Sequence, residues 1–121
     1  GFGGAPWLPQ PTDWAALTVD AQEADPDSTL NLYRAAIALR RRVDDLVGSD
    51  LEWLELGADV LAFRRGDGTV SITNLGAVPV PLPAHHEVLL SSAPLDDLLP
   101  PDSTAWLALR AVPGRSPRAS N

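Results

Sequence analysis

Two periods divide this chain. Between Leu30 and Leu46 apolar residues recur at steps of three and four, whereas from Leu51 to about Arg110 they alternate with polar ones, so one helix is predicted to precede a set of strands. At about 100° per residue, Leu30, Tyr33 and Ile37 fall on one helical stripe. Leu32, Ala36, Leu39, Val43 and Leu46 fall on a second, roughly opposite. Two stripes call for two packing partners, where a helix lying on a single sheet needs one. The helix is placed at 25–47, with Asp25 as N-cap, Pro26 in the first turn, Asp27 beside the positive end of the dipole and Gly48 as the stop.

The alternating region predicts strands over 51–56, 60–65, 69–75, 78–82, 87–91 and 104–110. Between the second and third, Arg64-Arg65-Gly66-Asp67-Gly68-Thr69 reads as a hairpin connection with two glycines able to take positive φ. On that turn, Leu61, Phe63, Val70 and Ile72 are expected to face the core. Pro79, Pro81 and Pro83 remove every second backbone donor, which assigns their strand to an edge. Residues 1–24 carry Pro6, Pro9 and Pro11 among glycines and read as an extended loop; 111–121 reads as a polar tail. The expected fold is therefore α+β and mainly β. An extended N-terminal arm and one long α-helix precede a small antiparallel β-sandwich over 51–110.

Composition narrows the function classes. The 121 residues carry a net charge of −7, which argues against a nucleic-acid or anionic-membrane surface. There is no cysteine, hence no disulfide, thiolate metal site or thiol nucleophile. No apolar run approaches the roughly 20 residues of a membrane span. Methionine is absent and the sequence starts at Gly1, so a piece of a longer protein is expected, and all nine basic residues are Arg.

The residues from Ala5 to Arg42 carry a more specific signal: Pro6-Trp7-Leu8-Pro9, then Val19-Asp20-Ala21-Gln22, then Asp25-Pro26-Asp27-Ser28 followed by Leu30-x-x-Tyr33-Arg34 and Ala38-Leu39-Arg40. In this order the elements resemble the segment that closes the catalytic barrel in the α-amylase family of glycoside hydrolases (family 13), nearest to its α-glucosidase and oligo-1,6-glucosidase branch. The resemblance extends from Gly3 to about Leu109. It implies that 1–24 is similar to the loop after the last barrel strand, 25–47 to the last barrel helix, and 51–110 to the terminal β-domain. A complete barrel needs roughly 250 residues. In such enzymes one carboxylate acts as nucleophile and another as acid/base about 5 Å away. The family's three acidic motifs lie upstream of this segment, and none is matched here.

Local chemistry adds little. His85-His86-Glu87 has metal-ligand residue types, but adjacent strand residues point to opposite faces, so an exposed loop entering a strand is the expectation. Asp44-Asp45, Asp96-Asp97, Glu23, Glu52 and Glu55 show no spacing that selects an acid/base pair. Arg40, Arg41 and Arg42 suit the negative end of the helix dipole and a solvated face better than an anion site. Of the four tryptophans, Trp53 and Trp106 lie in alternating strands and are expected in the core, while Trp7 and Trp14 lie in the long loop. Since the resemblance puts that loop beside the parent's substrate cleft, Trp7 is the one residue given a carbohydrate-proximal role.

The sequence thus predicts a non-catalytic C-terminal structural portion of a retaining α-glucosidase-like hydrolase that cleaves α-glucosidic bonds. No catalytic residue, metal or cofactor is assigned to it, and the chain alone is expected to be inactive. Its expected partners are the parent's catalytic barrel, α-glucosides only through that parent, neither nucleic acid nor membrane, and a second copy through the helix at 25–47. A cytoplasmic parent is expected, with secretion left open because the parent's N-terminus lies upstream. The alternative is a free-standing carbohydrate-binding or protein-interaction β-module.

Overall fold

The structure is a computed structural model and describes residues 12–43, 46 and 50–112. The chain divides into two compact units, Gly1–Ala35 and Ala36–Asn121.

In the first unit a 3-10 helix (Thr12–Leu17) leads into α1 (Val19–Ala24), and α2 (Thr29–Arg42) begins four residues later. The described part of the segment expected to be an extended loop is therefore helical. Its start signal is Thr18, whose Oγ1 accepts from the Ala21 amide at 3.3 Å, an N-cap that the prolines upstream had masked. The helix start expected at Asp25 is displaced as well. Asp25 closes α1, and its carboxylate accepts from the Asp27 amide at 3.0 Å in a turn of its own. Ser28 takes over at the entry to α2: its Oγ accepts from the Asn31 amide at 3.3 Å and donates to the Gln22 carbonyl at 2.6 Å. Asn31 Nδ2 donates to the carbonyls of Gln22, Glu23 and Asp25, which satisfies the free C-terminal oxygens of α1. An Arg34–Glu23 ion pair of 2.8 Å lies half in solvent and adds at most about 1 kcal/mol. At the other end α2 is helical to Arg42, and the stop expected at Val47-Gly48 lies outside the described residues, as does the tail from 113.

The second unit is the β-domain. β1 (Leu51–Leu54), β2 (Val60–Arg65), β3 (Thr69–Asn74), β5 (Glu87–Ser91) and β7 (Ser103–Ala108) form an antiparallel sheet in the order β1-β2-β3-β7-β5. β4 (Val80–Pro81) pairs with β6 (Leu98–Leu99) in a second, two-stranded sheet. The alternating prolines explain this placement, since a strand lacking every second donor can pair on one side only.

Register decides which side chains meet. Arg65 pairs with Thr69 across the three residues Gly66, Asp67 and Gly68, with Gly66 at φ 56. Ala62 therefore opposes Ile72, and Phe63 opposes Ser71. Leu61 and Phe63 consequently lie on the face opposite Val70 and Ile72, against the expectation that all four share the core. A two-residue turn would have put them together, and the third loop residue inverts the face.

The first face packs on the β4–β6 ribbon through fully buried Ala62, Val70, Ile72, Leu99, Ala105 and Leu107. Each large side chain there contributes roughly 1.5–3 kcal/mol. On the second face Trp106, Ala108 and Leu90 pack with Leu39, Val43 and Leu46, the second of the two helical stripes. A bulge between Val88 and Leu90 lets consecutive residues serve this cluster: Val88 opposes Leu107 and joins the first core, while Leu89 and Leu90 both join the second.

Asn74, 0% exposed, ties β3 to the ribbon. Its Nδ2 donates to the carbonyls of Val78 at 2.8 Å and Leu99 at 3.1 Å, and its Oδ1 accepts from the Gly76 amide at 2.9 Å. Its carbonyl accepts from the amide of Asp102, a non-glycine residue at φ 53. Replacing Asp102 with glycine is expected to be neutral or to stabilise by up to about 1 kcal/mol, and replacing it with valine to destabilise by about 1–2 kcal/mol. Urea melts of the two variants check this, and equal midpoints for both would contradict it.

Candidate functional site

The residues singled out for chemistry do not converge. Trp7 lies outside the described residues, as do Asp44 and Asp45. His85 Nδ1 lies 2.7 Å from the Pro83 carbonyl, and the His86 backbone amide donates to the Ala108 carbonyl at 2.7 Å, so each is engaged in the turn before β5. Among the described residues no three His, Cys, Asp or Glu side chains are grouped to hold a metal ion. Glu23 is paired with Arg34 and Glu52 with Arg64, while Glu55, Asp96 and Asp97 are exposed. Arg40, Arg41 and Arg42 form the exposed last turn of α2. Among the described residues no helix is long and apolar enough to cross a membrane.

The two strand tryptophans behave differently. Trp106 packs in the helix-side cluster, as expected. Trp53, also expected in the core, is 62% exposed, which corrects that reading. The cause is register again: Trp53 pairs with Phe63, and the three-residue loop has turned Phe63 away from the first core. Counting that loop is the sequence signal that could have found the exposed indole.

The result is a sheet face of two halves. On β7 and β5 the face is covered by Leu39, Val43 and Leu46. On β1, β2 and β3 it presents Trp53 with Leu51 and 45%-exposed Leu61, beside half-buried Phe63, Arg65, Ser71 and Thr73. The Trp53 and Phe63 rings meet edge to face, with centroids 5.6 Å apart and planes at 73°. Thr73 Oγ1 and Thr104 Oγ1 are 2.7 Å apart on the same face. Aromatic planes and hydroxyls support binding.

The fold and the sequence together indicate a class. The chain is similar to part of the glycoside hydrolases of the α-amylase family, as the motifs from Pro6 to Arg40 implied, and the likeness is consistent with a C-terminal portion. In particular, it is 34% identical over 73 residues to a probable α-glucosidase of Rhizobium meliloti (strain 1021), a match covering 60% of this chain and 13% of that one. It is 37% identical over 51 residues to probable oligo-1,6-glucosidase 2 of Bacillus subtilis (strain 168), covering 42% and 9%. The trehalulose synthase MutB of Pseudomonas mesoacidophila MX-45 superposes with a TM-score of 0.68 at 24% identity, over 89% of this chain and 22% of the synthase, a likeness of fold alone. No family model matches the chain. It thus spans about a tenth of the curated relatives it matches.

Proposed function

We propose that this chain is the non-catalytic C-terminal structural portion of a retaining hydrolase similar to α-glucosidases, which cleaves α-glucosidic bonds. The observation that carries the reading is the partial match: similarity over only 13% and 9% of the two glucosidase relatives. The helix supports it. Leu39 and Val43 are buried in the β-domain, whereas Tyr33 is 64% and Ile37 52% exposed, so one stripe has a partner and the other faces solvent. In the parent that stripe covers the wall of a catalytic barrel, and the β-domain holds the helix in register. In the isolated chain the same stripe pairs with a second copy. The parent is a cytoplasmic enzyme, and its α-glucosides reach this portion only through it.

Assayed alone, the chain is expected to leave p-nitrophenyl α-glucoside, maltose and isomaltose unhydrolysed above background. Activity that survives repurification and disappears on substitution of one of its acidic residues would overturn the reading. The coding sequence upstream of Gly1 is expected to encode a barrel with three acidic motifs. A start codon immediately before Gly1 favours the second reading, a free-standing carbohydrate-binding module, for which exposed Trp53 is the favouring observation.

A further inference from the structure

The geometry points to β1, the outer strand of the main sheet, as a two-fold pairing site for β1 of a second copy of this chain. In the order β1-β2-β3-β7-β5 it stands at one end, and among the described residues it pairs with β2 alone. The opposite edge, β5, is bulged and so makes a poor template, whereas β1 carries neither a bulge nor a proline. Its unpaired backbone groups can be assigned. The Gly66 amide donates to the Asp50 carbonyl, so the hydrogen-bonded pairs with β2 fall on the even residues of β1 and the N–H and C=O groups of Leu51 and Trp53 point outward. Continued by one residue, the same alternation turns out Glu55. These three residues share the face that carries Phe63 and Arg65.

Charge selects the register, and with it the occupant. An antiparallel pair centred on Glu52 sets that residue against Glu52 of the second copy, and one centred on Leu54 sets Trp53 against Glu55 of the second copy. Centring on Trp53 avoids both. Trp53 then meets Trp53 of the second copy, Leu51 meets Glu55 of the second copy, and the cross-strand row runs Thr69, Arg65, Leu51 and that Glu55. Arg65 and the incoming Glu55 lie two strand spacings apart, about 10 Å, which the two long side chains together span across Leu51. Two-fold symmetry makes the contact twice. Within one chain the residue opposite Arg65 is Leu51, so its own Glu55 lies four positions away along the strand, roughly 13 Å. Among the described residues neither Arg65 nor Glu55 has an ion-pair partner, and Arg65 Nε is buried without a hydrogen bond. At the centre the two indoles, each largely in solvent and braced by a Phe63 ring, cover one another. The interface uses none of the exposed helical stripe, and because the edge is short a dissociation constant of roughly 0.1–1 mM is expected.

The test uses the full 121-residue chain carrying Tyr33→Asp and Ile37→Asp, so that association through the helix does not contribute. Between about 20 μM and 2 mM, a range that brackets the expected constant, sedimentation is expected to show a monomer passing to a dimer. Amide exchange at Leu51, Trp53 and Glu55 is expected to slow at least twofold over that range, while Glu52 and Leu54, already bonded to β2, stay unchanged. Glu55→Arg and Arg65→Glu are each expected to weaken the dimer at least tenfold, because each sets like charges across the interface twice. Mixed in equal amounts, the two variants are expected to regain the original affinity, since every contact between unlike copies again joins an Arg to a Glu. Trp53→Pro removes the central outward N–H, leaves the bonds to β2 in place and is expected to abolish the dimer. Glu55 and Trp53 are exposed, so their variants are expected to melt like the parent chain. A strictly monomeric chain up to 2 mM would overturn the proposal. So would association indifferent to Glu55→Arg and Trp53→Pro, or a mixture of the two folded charge variants no tighter than either alone. None of these outcomes bears on hydrolysis or on the upstream coding sequence, so this interface and the parent reading fail separately.

Discussion

Replacing Asn74 with alanine is expected to destabilise the β-domain by about 2–3 kcal/mol, a large part of the 5–15 kcal/mol that holds a small domain together. The side chain is fully buried and makes three hydrogen bonds. Its loss strands the carbonyls of Val78 and Leu99 and the amide of Gly76. The Leu99 carbonyl is left unpaired in a buried position, which costs about 1–3 kcal/mol, while the Val78 carbonyl and Gly76 amide are only part-buried and cost less. Asn74→Asp is the sharper variant: it keeps the shape but exchanges the two donors for a carboxylate facing two carbonyl oxygens, so at neutral pH it is expected to be worse than alanine. Urea denaturation followed by tryptophan fluorescence checks this. With a slope near 1 kcal/mol per molar urea, the midpoint is expected to fall by about 2–3 M. A shift below about 0.5 M for both variants would mean that β3 and the ribbon are held together by apolar packing alone.

The second large effect is on association. Tyr33 and Ile37 are each more than half exposed, and covering large apolar side chains contributes roughly 1.5–3 kcal/mol apiece when burial is complete. Sedimentation across a hundredfold concentration range is expected to show the isolated chain passing from monomer to dimer. Tyr33→Asp with Ile37→Asp is expected to weaken that association at least a hundredfold, equivalent to about 2.7 kcal/mol. Both positions face solvent, so the double variant is expected to melt like the original. A strictly monomeric chain across the whole range would leave the exposed stripe without the role in self-association given to it here.

The strands were legible where alternation was unbroken. Val60–Arg65 and Glu87–Ser91 fall where the pattern puts them, and the helix carries one buried and one exposed stripe as its periodicity implied. What the pattern missed was set by polar groups or by counting. Val19–Ala24 is helical because Thr18 caps it, a signal overshadowed by nearby prolines. Asp25, expected to cap α2, instead closes α1, and Ser28 caps α2 in its place. Leu98–Leu99 is too short to show a period, and its strand exists only through pairing with β4. The exposed indole of Trp53 turned on one residue in a loop, since alternation gives the two faces of a strand but not which one is buried.

The position of β7 has a consequence for how the domain comes into being. This strand is the last of the described strands in sequence, yet it lies between β3 and β5, and its side chains contribute to both cores. During synthesis, β1, β2 and β3 can form a meander as they leave the ribosome, but β5 has no neighbour in the main sheet until Ser103–Ala108 has emerged. Folding of the domain therefore waits until Ser103–Ala108 has been synthesised. Until then the apolar faces of the first three strands stand open, and the nascent chain is at its most vulnerable to aggregation.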